Sequence, residues 1–281
     1  MSRVPMGTDG GALLHDPELI NNNNYVQQGV SADLIATLEG FTREQLDEFA
    51  LSSHKKAAFA AEQEYFSKSM IPVVDCNGLT ILGKDEAVRP NTSKEALSRL
   101  DASFEQLGEA GFATMAMLKY PLAEYLDYVH TAGNSSGIVD GASLALIGSA
   151  AIGEKMGLKK RAKLVASALV STEPTIMLTG IVPAVQKALS KAGSTVDDID
   201  LWEINEAFAS VVLKAVGDLG VDLDKVNVNG GAIAMGHPLG ATGTILLGTL
   251  LDELERRNLK YGCVTLCAGA GIGTAAIIER L

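Results

Sequence analysis

The chain has 281 residues, enough for one large domain or two ordinary ones. Hydrophobic residues make up 47% and aromatics only 5%, with 29 glycines, so the expected core is built from Ala, Val, Ile and Leu on helices packed closely against a buried sheet. A net charge of −11 excludes nonspecific nucleic-acid binding, which needs surplus Lys and Arg, yet leaves room for an anionic small ligand held by local cations or helix N-termini.

Residues 1–10 hold no apolar signal core, and the most apolar stretch, 138–156, is interrupted by glycines, Asp140 and Glu154, so no membrane span is expected. The region 1–136 reads as irregular and polar, with helical pieces between loops. The run Asn21 to Asn24 reads as a loop, because Asn side chains compete for backbone hydrogen bonds. The longest helix is predicted over 42–69, capped by Thr42, with Leu46, Phe49, Ala50, Ala57 and Ala60 near helical spacing. A second is predicted over 93–108, capped by Thr92 or Ser93.

Between 137 and 160 the chain turns small and apolar, giving a predicted strand at 142–147 and a helix at 149–157. Beyond 162 the order is regular: strand 163–170, helix 183–192 followed by Gly193, strand 199–204, helix 207–219 closed by Gly220, and strand 226–229. A helix over 242–257 and a terminal hairpin of 263–267 with 273–279 complete a mixed α/β layer.

Three places could carry chemistry. His237 sits between Gly236 and Pro238 in a glycine-rich loop before a helix, a good setting for a general base near neutral pH, although a lone His more often caps or packs. Cys267 stands at a strand end before alternating glycines, which leave its thiol and the following N–H groups open to a substrate. Asn205 and Glu206 lie at a strand-to-helix junction, where capping alone could explain the Asn. The three cysteines, Cys76, Cys263 and Cys267, are too few for a disulfide framework and lack metal spacing, so no metal site and a reducing, cytoplasmic compartment are expected.

Together, N-E-A-F-A at 205–209, G-G-A-I-A-x-G-H-P-x-G-x-x-G at 230–243 and C-x-G-x-G-x-G at 267–273 resemble the thiolase family in order and spacing. The segment His130 to Ala142 resembles the thiolase segment that meets coenzyme A. The resemblance runs over essentially the whole chain. It implies a layered αβαβα fold with most of the first α/β half absent: a loop domain at 1–136, a remnant of the N-terminal half at 137–160 and the C-terminal domain at 161–281.

The implied activity is acyl transfer between acyl-CoA and CoA, by Claisen condensation or thiolytic cleavage of 3-ketoacyl-CoA. Coenzyme A is then a substrate, and no cofactor is expected. His237 would activate the nucleophilic cysteine and, with a water held by Asn205, bind the thioester oxyanion; Cys267 would move the α-proton; the Gly269 N–H would donate to the oxyanion of the acyl intermediate. Arg89, Ala132, Ser136, Met177, Ala207 and Phe208 match positions lining the coenzyme A and acyl pocket, with Arg89 at the nucleotide end. The full-length form is expected to be a homodimer or homotetramer, with no nucleic-acid or membrane partner.

The family's acylated cysteine belongs to a C-x-S motif, and none occurs among these residues. Cys76 reads as part of a surface turn and Cys263 as the start of a strand. The missing part would be on the order of a hundred residues. Without that cysteine the chain is expected to be inactive in ping-pong transfer, to expose apolar surface and to be poorly soluble. The stretch Asn22 to Gly29 stands where the family shapes its acyl pocket but matches imperfectly, so acyl length stays open. Two other readings compete: a non-catalytic thiolase-like binder of acyl-CoA or lipid, and a condensing enzyme of fatty-acid synthesis. The intact set of Asn205, His237 and Cys267 argues against the first; condensing enzymes use two histidines with a cysteine, and the offer here of His237 and then Cys267 argues against the other.

Overall fold

The computed structural model describes residues 2–5, 7, 8, 10, 11 and 15–281. Asp16 starts helix α1 (Pro17–Asn23) by accepting the N–H groups of Glu18 and Leu19, with Pro17 in the first turn where no donor is needed. The asparagine run predicted as a loop is therefore the last turn of α1. Asn23 returns its Nδ2 to the Leu19 carbonyl (2.8 Å), and Asn24 takes the left-handed C-cap. Helix α2 (Gln28–Glu39) is buried along residues 29–36. Helix α3 (Arg43–Glu62) opens on Thr42 as predicted, with a reciprocal capping box to Gln45, and stops short of residue 69. A small hairpin, β1 (Val73–Val74) with β2 (Thr80–Leu82), follows.

The helix predicted over 93–108 is broken. Ser93 caps α4 (Lys94–Ser98), but the Leu97 and Leu100 carbonyls accept the Arg43 guanidinium (2.6 and 3.0 Å), which takes acceptors a continuing helix would use. Helical turns resume at 105 and lead into α5 (Ala113–Lys119). The strand predicted over 142–147 does not form, and Leu144 stands 95% exposed. A strand exists only through its ladder, and no strand among the described residues lies alongside it. Helix α6 (Ala150–Lys155), capped by Ser149, follows.

The main sheet has strand order β3 (Ala162–Ser171), β6 (Ile272–Arg280), β5 (Tyr261–Ala268), β4 (Leu201–Ile204), antiparallel except for the parallel β4–β5 pair. Alternation sorts its two faces. Trp202, Ile204, Cys263, Cys267 and Ile277 join the core that includes α7 (Ile181–Ala192) and α8 (Ala209–Leu219). Leu201, Val264 and Ile278 meet Leu246, Leu250 and Leu254 of α10 (Thr242–Arg257) on the other. Helices thus cover both faces, giving a mixed α/β architecture. Gly193 and Gly220 close α7 and α8 in the left-handed region, as predicted.

The strand predicted at 226–229 is reduced to single bridges, Trp202 with Val226 and Val228 with Gly230. Asn227 is the cause: its backbone turns left-handed (φ 45°), and its carboxamide takes both backbone groups of Ile204, at 2.8 Å each, in place of a ladder. Beside it the buried Glu206 carboxyl accepts from Ser53 Oγ (2.7 Å), Asn227 Nδ2 (3.0 Å) and the Ile233 N–H (3.1 Å). The segment 227–231 leads from there into α9 (Ala232–Met235). A side chain at Gly231 would put its Cβ 2.3 Å from the Glu206 carboxyl carbon. Gly231→Ala should therefore cost about 3 kcal/mol of stability in urea denaturation, through overpacking and the three lost hydrogen bonds; a loss under about 1 kcal/mol would mean the loop yields freely.

Glu203, on β4 three residues before Glu206, is buried, and its Oε2 lacks a partner among the described residues. Burial, then the charges of Glu206 and Glu253, raise its pKa well above 4.5. A raised folded pKa means stability present below the unfolded value and lost as pH climbs through the folded one. Denaturation of Glu203→Gln at about pH 5 and about pH 8 should show the variant gaining on the native chain at the higher pH. Parallel behaviour at both values would refute that linkage.

Candidate active site

Asn205 follows β4 directly, and its N–H donates to the Thr265 carbonyl (3.0 Å), carrying the β4–β5 pairing one residue further. Cys267 lies two residues beyond Thr265 on β5, so both side chains stand at the carboxyl ends of parallel strands, where α/β sheets place ligands. Asn205 does not cap a helix: α8 begins later, with Phe208 at its N-cap and no side-chain bond. Its carboxamide Nδ2 instead lies 3.4 Å from His237 Nε2, a long contact, while its buried Oδ1 lacks a partner among the described residues.

The His237 loop is held from several sides. Its N–H donates to the Gly137 carbonyl (2.8 Å), and Ser143 Oγ donates to the Ala241 carbonyl (2.7 Å), so residues 137–143 run along 236–241. Gly236 is left-handed (φ 85°), and a Cβ there would meet the Val139 side chain at 2.5 Å. His237 Nδ1 lies 2.6 Å from Thr242 Oγ1, in the first turn of α10. An amide Nδ2 can only donate, so Nε2 accepts from Asn205 and Nδ1 carries the proton to Thr242. Burial lowers the His237 pKa below 6.5. Burial pushes the Cys267 thiol up to about 12, with the residue 8% exposed. At neutral pH the site thus presents an imidazole free to take a proton and a thiol holding one.

Beyond Cys267 the chain turns through Gly269 and the left-handed Ala270 (φ 60°). A Cβ on Gly269 would lie 3.3 Å from Gln28 Nε2 and 3.7 Å from Tyr25 Oη. Those two side chains, Tyr25 just before α2 and Gln28 in its first turn, stand against Gly269. The sequence pointed to the stretch 22–29 without singling them out. Met177 is wholly buried, with a strained φ of 26°, in the same core cluster as Cys267, Ala207, Phe208 and Tyr25. Leu239, two residues from His237, is also left-handed (φ 31°), so non-glycine outliers gather around the trio.

The loop 130–137 joins the site by its backbone. Ser136 N–H donates to the Ala207 carbonyl and Ala209 N–H to the Asn134 carbonyl, both at 3.0 Å, with a bridge between Ser135 and Phe208. Ala132 is exposed at its tip. Arg89 is exposed, and its charge acts on His54 of α3, whose pKa is lowered first by burial and then by that guanidinium. The structure therefore relates Arg89 to α3, while Ser136, Ala207 and Phe208 gather beside Asn205 and His237. Residue-by-residue reading missed Asp33, Asp47 and Thr242. Thr242 alone had a local signal, five residues from His237 at a helix start.

The family description "Thiolase, C-terminal domain" matches residues 158–280, and "Thiolase, N-terminal domain" matches residues 5–118. A 3-ketoacyl-CoA thiolase of Saccharophagus degradans is 42% identical over 259 residues, covering 90% of this chain and 61% of that protein. A 3-ketoacyl-CoA thiolase of Marinobacter nauticus is 40% identical over 289 aligned positions, covering 100% of this chain and 68% of that protein. The crystal structure of a Bacillus anthracis acetyl-CoA acetyltransferase superposes with a TM-score of 0.78 at 34% identity, covering 91% of this chain and 60% of that one. The chain thus spans about three-fifths of the length of several of its relatives. With two thiolase domain descriptions on it and this identity throughout its length, the chain belongs to the thiolase family of acyltransferases.

Proposed function

We propose that this chain carries the proton-handling part of a thiolase-type acyl-CoA acyltransferase, which cleaves 3-ketoacyl-CoA with CoA or condenses acyl-CoAs in reverse. The observation that carries the reading is the pairing of a neutral, Thr242-oriented His237 with Asn205, with the protonated Cys267 at the end of the strand paired to that of Asn205. In cleavage, a nucleophilic thiol yields its proton to His237 Nε2 and attacks the 3-keto carbon. The C2–C3 bond breaks, and its electron pair moves into the acetyl-CoA enolate. Cys267 delivers its thiol proton to C2. The imidazolium of His237 and a water held by Asn205 Oδ1 stabilise the enolate oxygen, and the Gly269 N–H stabilises the oxyanion at the acylated thiol. The CoA thiol then yields its proton to the Cys267 thiolate and takes the acyl group, and the departing nucleophilic thiolate recovers its proton from the His237 imidazolium. Ser136, Ala132, Met177, Ala207 and Phe208 line the acyl-CoA path in this reading, and Arg89 takes the nucleotide end.

The attacking thiol is not one of the three cysteines here. Cys76 is exposed in the Asp75–Leu79 turn. Cys263 is wholly buried four residues before Cys267, its thiol also pushed up to about 12. We therefore assign the acyl-accepting cysteine to a C-x-S segment outside these 281 residues, and expect the chain by itself not to complete the transfer. Retention of Asn205, His237 and Cys267 together favours an enzyme over a non-catalytic acyl-CoA or lipid binder. The proposal includes a cytoplasmic setting, which three free thiols suit, a homodimeric or homotetrameric whole protein, and no cofactor, nucleic-acid or membrane partner. No helix among the described residues is long and apolar enough to cross a membrane.

Acetoacetyl-CoA cleavage is the test. It is expected when the chain is extended upstream by a thiolase segment bearing the C-x-S cysteine, and not from the 281 residues alone; cleavage by the latter would overturn this division of labour. In the extended form, His237→Ala and Cys267→Ala should each lower kcat by ~10³-fold. Its acid limb in kcat/KM should lie below pH 6.5, because burial holds His237 deprotonated to lower pH; a limb above that value would remove His237 as the base.

A further inference from the structure

Asp33 and His130 take no part in the chemistry above, yet both side chains are wholly buried close to the trio's supporting loop. Asp33, on α2, turns one carboxylate oxygen towards the Val129 N–H (3.1 Å), the His130 N–H (3.0 Å) and His130 Nδ1 (2.7 Å). Their far atoms, Asp33 Oδ2 and His130 Nε2, are buried without a hydrogen-bond partner among the described residues. An apolar pair of similar volume would join the two segments without those orphaned atoms. What the polar pair adds is direction: three donors converge on one oxygen and set the backbone of residues 129 and 130.

The direction passes on through the segment 130–137. The His130 ring meets Phe208 edge-on, with centroids 5.5 Å apart. Asn134 and Ser136 then exchange backbone bonds with Ala209 and Ala207, and the Gly137 carbonyl receives the His237 N–H. Asp47 steadies the middle of the loop by accepting Asn134 Nδ2 (2.9 Å). We infer that Asp33 is a positioning residue for His237, acting through the segment 130–137. It sets where the imidazole stands relative to Asn205. The inference rests on the reading of His237 as the base, but the coupling itself can be observed without turnover.

Amide hydrogen exchange and imidazole titration, followed by NMR on the whole 281-residue chain, test it. In Asp33→Ala the N–H groups of Ser136 and His237 should exchange at least ~10-fold faster while Val264 and Thr265 in β5 keep their rates. The His237 titration should also move up towards 6.5, because the burial that lowers it is relaxed. Asp33→Asn keeps an acceptor oxygen for the same donors and should stay within ~3-fold of the native rates. Unchanged exchange and titration at His237 in Asp33→Ala, or equal acceleration throughout the sheet, would reduce Asp33 to a residue of general stability and overturn the inference. Should Asp33→Ala fail to fold, His130→Val removes the ring and keeps the carboxylate; faster exchange at His237 with β5 unmoved supports the coupling, and native rates there sink it. An extended chain without thiolytic activity would refute the function proposed above and leave this exchange result standing.

Discussion

The Glu206 carboxyl is the point at which the site is tied together. It receives Ser53 from α3, Asn227 from the turn after α8, and the Ile233 N–H from α9, which leads to His237. A buried carboxyl with three donors cannot move without leaving each of them unsatisfied, so the three segments share one arrangement. The fit is tight enough that only a glycine can pass at position 231. Asn205 and His237, distant along the chain, meet because the residues beside them are bound to this one group.

Burial then assigns the protonation states. The same exclusion of water that lowers the His237 pKa raises that of Cys267, since it disfavours the charged form of each. A neutral imidazole and a neutral thiol form a proton acceptor and a proton donor at one pH, a separation of roles made by environment. Thr242 and Asn205 complete the arrangement by choosing which ring nitrogen keeps its proton.

The segment 137–147 serves two regimes. Its first half is fastened along the His237 loop by Gly137 and Ser143. Its second half projects Leu144, Leu146 and Ile147 into solvent, at 71–95% exposure. The expectation of exposed apolar surface is met there. The strand expected at that place is not, because apolar composition supplies a face to bury and does not supply a ladder partner.

Helices and their ends were largely legible in the sequence, for a local reason. The Thr42–Gln45 box, the Ser93 cap and the closing glycines 193 and 220 act within one turn, so nearby residues suffice to read them. The asparagine run escaped that reading because Asp16 and Pro17 started a helix strongly enough to carry through it. The break after Ser98 and the loss of the strand at 226–229 escaped for the opposite reason. Arg43 and Asn227 supply side-chain partners from other segments in place of the backbone.

The sequence by itself determined the family and pointed to three candidate residues, because the motifs around Asn205, His237 and Cys267 are local runs in a set order. Only the tertiary structure decided how those residues stand: that Asn205 lies against a histidine and caps nothing, that the ring meets Thr242, and that Glu206 binds the residues beside them. Asp33 reaches across 97 positions to His130, and Ser53 across 153 to Glu206. Hydrogen bonds over such separations leave no periodicity or spacing in the chain, so they become visible only once the sheet and its helices have brought the partners together.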